Sequence, residues 1–172
     1  MKTIDVRMTA ENDQDVVVFL IGMRINKWWK VHQWARVAAG MPRMLAELEA
    51  HPELGFLGGE QWFGRTTILV SYWKTTAHLL AYAKMREAEH LPAWRAFNKR
   101  VGTNGDVGIW HETYRVPARA YESVYLNMPA FGLGAAGRLI EARGRNQHAA
   151  GRLGEDASPS AEGAPGRTKA AA

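Results

Sequence analysis

The sequence predicts an α+β domain whose elements run β-α-β-β-α-β, the split βαβ plan. Three observations lead there. Residues 15–25 (DVVVFLIGMRI) are β-branched and apolar on both alternating sets, the mark of a strand covered on both faces. Two further strand-like runs, GFLGGEQWFG and TTILVSYW, follow a helical stretch and are joined by a tight turn near Gly64-Arg65. A second helical stretch then leads to a fourth strand, VGIWHETYRV.

In the first strand Val16, Val18 and Leu20 form one face, and Val17, Phe19, Ile21 and Met23 the other. Residues 28–50 read as helix, with Val31, Trp34, Val37, Met41, Met44, Leu45 and Leu48 near helical spacing. Gly40 and Pro42 should break or kink it, because proline lacks the amide that the helical ladder needs. Thr75 or Thr76 can cap the next helix, which carries Leu79, Leu80, Tyr82, Ala83, Leu91, Trp94 and Phe97 and runs to about Arg100. Pro92 suggests a break or a new start just after His90. TNGD (103–106) is a turn, and strand four spans 107–116. YESVYLNMP (121–129) is extended or irregular, and a Gly-rich segment closes the fold. With helices on one face only, a first strand apolar on both faces asks for a second cover. A homodimer with two sheets face to face supplies it and encloses a pocket between sheet and helices.

The chain has 172 residues, 47% hydrophobic and 23% charged, which fits one soluble domain with a real core. The absence of cysteine excludes disulfides, cysteine-ligated zinc, iron–sulfur clusters and a cysteine nucleophile. Residues 1–14 are polar with no apolar h-region, so no signal peptide is expected and the location reads as cytoplasmic. The apolar run 16–23 is too short to span a bilayer. The net charge of +5 is scattered rather than striped and points away from nucleic acid. The ordered domain is expected over 12–140. The segment 143–172, rich in Gly, Ala, Ser and Pro, is expected to be disordered.

Two histidines are the best candidates for chemistry. His90 lies in EAEHLPAWRAFNK on the second helix and His111 in GDVGIWHETYRV on the last strand, so both can face one pocket. Such a pair suits a metal ligand opposite an acid/base group, or a substrate clamp; the plainer alternative is two separate structural histidines. On the strand, His111 shares a face with Ile109 and Thr113, while Trp110 and Tyr114 point the other way. Trp62, Trp73, Trp94 and Trp110 can wall a pocket for a large apolar ligand, or simply form an aromatic core. Arg24, just past an apolar strand, can meet an anionic ligand group. Trp28 and Trp29, in RINKWWKVHQW, offer either a pocket mouth or a basic, tryptophan-rich membrane-surface segment. GLGAAG (132–137) matches G-x-G-x-x-G literally, but no βαβ unit can follow it, so it reads as a closing turn.

The tokens SYW, HLPAWRAFN, GIWHETY and YLNMP, within a stretch of about residues 15–135, resemble a family of small dimeric α+β-barrel proteins described as monooxygenase-like. The resemblance implies a ferredoxin-like fold, a homodimer forming a dimeric α/β barrel, and oxidation of a hydrophobic small molecule. The chain also looks distantly like the haem-containing aldoxime dehydratases, built on the same barrel. That likeness implies haem b as cofactor, with His90 as iron ligand and His111 acting on the distal side. Arg24 then anchors a propionate, and Trp62, Trp73 and Trp110 wall the pocket. The dehydratases are about twice as long, with two such repeats per chain, so here two copies are needed. Oxidation without a cofactor, with His111 as base, is the alternative; aldoxime dehydration and simple haem or ligand binding stand beside it.

Overall fold

A computed structural model describes residues 2–85 and 104–154. In chain order the elements are β1 (Met8–Glu11), β2 (Val16–Ile25), α1 (Val31–Ala38), α2 (Gly40–Ala50), β3 (Phe56–Trp62), β4 (Ile68–Trp73), α3 (Thr76–Lys84), β5 (Val107–Val116), α4 (Leu133–Ala136), β6 (Arg138–Glu141) and α5 (Ala149–Leu153). The main sheet is antiparallel with strand order β3-β4-β2-β5. The first and last strands of the β-α-β-β-α-β plan are thus neighbours, and its two middle strands form the other half. This is the ferredoxin-like arrangement the element order predicts.

The predicted helix 28–50 is two helices meeting at Ala39–Gly40, beside Pro42. Thr75 caps α3 by accepting from the His78 amide at 3.2 Å. The remainder of that predicted helix, with His90, Pro92, Trp94 and Phe97, lies outside the described residues.

Two differences concern the ends. β1 pairs with β6, Met8 opposite Glu141 through Glu11 opposite Arg138, in a two-stranded sheet that reaches outside the expected 12–140 domain. The expectation of disorder from residue 143 is corrected for the first turns of that segment. Residues 144–147 form a 3-10 turn and Ala149–Leu153 a helix. Arg152 ties them down, donating to Glu122 and to the carbonyls of Asn146 and Gln147. The physical reason is a largely buried arginine that spends its fork on fixed acceptors, which a composition count does not register. Residues 155–172 lie outside the described residues. GLGAAG is a packing turn: a Cβ at Gly134 would stand 2.6 Å from Leu139 and 3.0 Å from the Tyr125 ring.

The core lies between the sheet and its helices. Val17, Leu48, Trp73, Leu79 and Tyr82 form its centre, with Phe19, Met44, Leu54 and Phe56 packed against it. A second cluster, Met23 and Val107 with Ile25, Trp34, Val37 and Ile109, seats α1 on the end of β2 and β5.

Candidate active site

Strand alternation gives the sheet a helix-facing side that carries Phe19, Ile21 and Met23 on β2, Leu69, Ser71 and Trp73 on β4, and Ile109 on β5. Between these residues and Val37, Met41 and Met44 lies a cavity of about 310 Å³. That is at the small end of ligand pockets, and the lining is overwhelmingly apolar. Its few polar groups are mostly committed to the protein. Ser71 Oγ donates to the Phe19 carbonyl at 2.9 Å and accepts from Trp73 Nε1 at 3.1 Å. Thr67 Oγ1 accepts from the Met23 amide at 3.0 Å, and the Tyr82 hydroxyl donates to Glu47 at 2.6 Å. The Gln61 carboxamide also lines the cavity and makes no hydrogen bond among the described residues.

His111 pairs with Ile21 across the β2–β5 ladder and so stands on the cavity side of the sheet. Its ring lies 5.9 Å from that of Phe19, a cavity residue, but His111 itself is exposed and is not part of the lining. It makes no hydrogen bond or ion pair among the described residues. His90 lies outside the described residues, so the expected facing pair is not on view.

The single tryptophan-walled pocket is corrected. Trp73, 2% exposed, does line the cavity and packs edge-on against Phe56. Trp62 and Trp110 are on the other side of the sheet. A β-bulge between Phe56 and Gly58 reverses the alternation of β3, so Trp62 turns away from the cavity, pairs with Ile68 and packs on Phe131. Trp110 pairs with Gly22 and lies over it, as period two from His111 requires. The same bulge turns Gln61 inward. Arg24 is exposed on the face opposite the cavity, with Nη1 donating to Thr66 Oγ1 at 2.9 Å.

On that opposite face Tyr72, Trp110 and Tyr114 are partly or fully exposed. Burial pushes the Tyr72 hydroxyl above its ordinary value, and Tyr125 adds to the effect. The Tyr114 hydroxyl donates to Glu112, which raises its pKa.

Residues 16–133, which build most of this cavity, match the model of the Monooxygenase af470-like family. The chain belongs to that family. Monooxygenase af470 of Aspergillus fumigatus is 31% identical over 86 residues, which cover 46% of this chain and 30% of that protein. The chain therefore spans under a third of the curated relative. Among solved structures, SnoaB, a cofactor-independent oxygenase from Streptomyces nogalater, is similar with a TM-score of 0.42 and 14% identity, covering 58% of this chain and 91% of that one. A dimeric ferredoxin-like protein of unknown function from Bacteroides fragilis gives 0.38 and 13%, covering 59% and 95%. Protein SO0527 from Shewanella oneidensis gives 0.37 and 15%, covering 67% and 97%. At these scores the structures say nothing about chemistry. The likeness to aldoxime dehydratases finds no support in these matches.

The described residues do not fit the haem arrangement. Arg24, the expected propionate anchor, faces away from the cavity, and no histidine of the described residues lines it. No helix among the described residues is long and apolar enough to cross a membrane.

Proposed function

We propose that this protein is a monooxygenase that oxidises a small apolar molecule held between the sheet and α1–α3. One observation carries the reading: an apolar cavity whose polar groups are mostly paired internally, leaving Gln61 to orient a substrate oxygen. Membership of a monooxygenase-named family supports oxygenation as the chemistry. His111, exposed on the cavity side of the sheet with its ring 5.9 Å from that of the cavity residue Phe19, accepts a proton from an activated CH2 group of a substrate that reaches past Phe19. The resulting carbanion is oxidised by O2. One oxygen atom stays on carbon as a carbonyl and the other leaves as water. The four electrons lost by carbon are the four gained by O2, so no outside reductant is needed. The dry lining keeps the carbanion from being reprotonated by bulk water.

The opposite face, with Val18, Leu20, Val70, Tyr72 and Trp110 only partly buried, suits a second copy of the chain. The functional unit is then a homodimer.

Anthrone, a tricyclic ketone with one acidic CH2, serves as probe. Oxygen uptake with quinone formation should exceed the protein-free rate and fall at least ~100-fold in His111→Ala, while the fold is retained. Uptake equal to buffer, or unaffected by His111→Ala, sinks the reading. An absorption spectrum with added haemin separates the haem-dependent alternative. A stoichiometric Soret band that shifts in His90→Ala would overturn the cofactor-free mechanism.

A further inference from the structure

One end of the main sheet collects features that the cavity does not use. β2 ends there at Ile25, β3 at Trp62, and β4 and β5 begin there at Ile68 and Val107. The β3–β4 turn is bound to the end of β2: the Ile25 amide donates to the Arg65 carbonyl at 2.8 Å, and Arg65 Nε to the Ile25 carbonyl at 3.3 Å. From this end project Trp28, 70% exposed, Trp29, 61% exposed, and Phe63, 75% exposed. The two indoles meet edge to face, 6.2 Å apart.

The loop that presents the tryptophans is held firmly. Asp106, 1% exposed, is its anchor. Lys27 Nζ lies 2.7 Å from one carboxylate oxygen and Lys30 Nζ 2.7 Å from the other. The Asp106 carbonyl accepts from the Asn26 and Lys27 amides. Asn26 Nδ2 donates to the Gly105 carbonyl, and Trp34 Nε1 to the Trp28 carbonyl. A loop fixed by so many bonds could have buried its tryptophans, yet both face solvent. Large exposed aromatics held in place mark an interaction surface.

Charge selects the partner. Segments 24–30, 62–67 and 104–108 carry four cations, Arg24, Lys27, Lys30 and Arg65, against the single buried carboxylate of Asp106. Tryptophan beside lysine and arginine is the composition that favours the headgroup level of an anionic bilayer, where the indole sits half in hydrocarbon and the cations meet lipid phosphate and carboxylate. Phe63 both lines the cavity and is exposed here, so the cavity reaches this same end.

We propose that this end of the sheet, Trp28, Trp29 and Phe63 ringed by Arg24, Lys27, Lys30 and Arg65, docks the protein on an anionic lipid surface with the cavity opening toward the bilayer. The docking is peripheral and does not depend on the reaction proposed above. Apolar ligands that partition into lipid then reach the cavity without crossing water.

The full chain is sedimented with vesicles of phosphatidylcholine alone and with about 30% phosphatidylserine. Binding to the anionic vesicles should be at least ~10-fold tighter and should weaken as salt rises. Trp28→Ala/Trp29→Ala should reduce it about tenfold, with an unchanged melting temperature because both side chains are exposed. Arg24→Gln/Arg65→Gln should remove the preference for phosphatidylserine. Equal binding to both vesicles, or full binding by the double tryptophan variant, overturns the proposal. So does a smaller oligomer in that variant, which would assign the tryptophans to a contact between copies.

Discussion

The two faces of the main sheet are made by alternate residues of the same strands, yet they differ in how they treat polar atoms. On the helix side Ser71, Trp73, Thr67 and Tyr82 are joined into internal hydrogen bonds around an apolar cavity. On the other side Trp110 Nε1 is buried with no partner among the described residues, and Tyr72, Trp62 and Tyr114 are left partly or largely open to solvent. Among the described residues the helix-side face pairs most of its polar groups internally. The opposite face is turned outward, and its buried indole N–H has no acceptor among the described residues.

That contrast predicts that deleting a large side chain costs far more on the helix-side face. Trp73→Ala removes a buried ring packed on Phe56 and Tyr82 together with the N–H that Ser71 Oγ accepts from, so it should lower unfolding free energy by about 3–5 kcal/mol. Trp62→Ala, on the other face and 45% exposed, should cost about 1 kcal/mol or less in dilute monomer. Urea unfolding of the two variants decides it; equal losses would erase the distinction.

Gly22 is where the faces come closest to conflict. A Cβ there would stand 1.9 Å from the Thr67 carbonyl oxygen and 2.8 Å from Trp110 Nε1. The first obstacle is backbone in the β4 lead-in and cannot swing aside. Gly22→Ala should therefore destabilise by about 1–3 kcal/mol and shift Trp110 fluorescence. A neutral result would show that the backbone at Thr67 yields to admit the methyl group.

Much of this fold was legible in the sequence, and the failures have physical causes. The bounds of β5 follow from VGIWHETYRV, and the break in the first helix from Gly40 and Pro42. The parity of β3 does not follow. Its Gly-Gly pair admits a bulge, with Gly58 at φ 135°, and the bulge inverts which residues face the cavity. The pocket wall expected from the sequence includes Trp62 and omits Gln61, and the bulge turns the first outward and the second inward. A cue is present: Gln61 shares its parity with Phe63 in a strand with few other polar residues. The pairing of β1 with β6 is a contact between distant ends, which no local pattern reports.

Asp106 links the sheet to the tryptophan loop, and its carboxyl is held below the ordinary value of 3.8, first by the Lys27 ammonium and then by Lys30. Because the folded form holds its proton less tightly than the unfolded chain, the group's stabilisation is fully present above 3.8 and is lost as pH falls through the depressed folded value. Asp106→Asn should thus be less stable than the parent at neutral pH, and the two should converge in acid. The fluorescence of Trp28 and Trp29 should report loosening of the loop in the variant. A gap that persists unchanged to low pH would place the variant's effect in packing rather than charge.

The smallest expected effect is the sharpest test of the outward face. Trp110→Phe keeps an aromatic ring over Gly22 and removes only the unpaired N–H and the second ring. If the donor has no acceptor in the working protein, deleting it relieves a desolvated group, and stability should hold within about 1 kcal/mol of the parent or rise slightly. If a second copy supplies the acceptor, the monomer should be unaffected while the dimer dissociates at higher protein concentration, by about three- to tenfold. Sedimentation velocity across a dilution series separates the two. A weaker dimer with an unchanged monomer makes the outward face one half of an interface, whereas no change in assembly leaves Trp110 as a packing residue that covers Gly22 across the β2–β5 ladder.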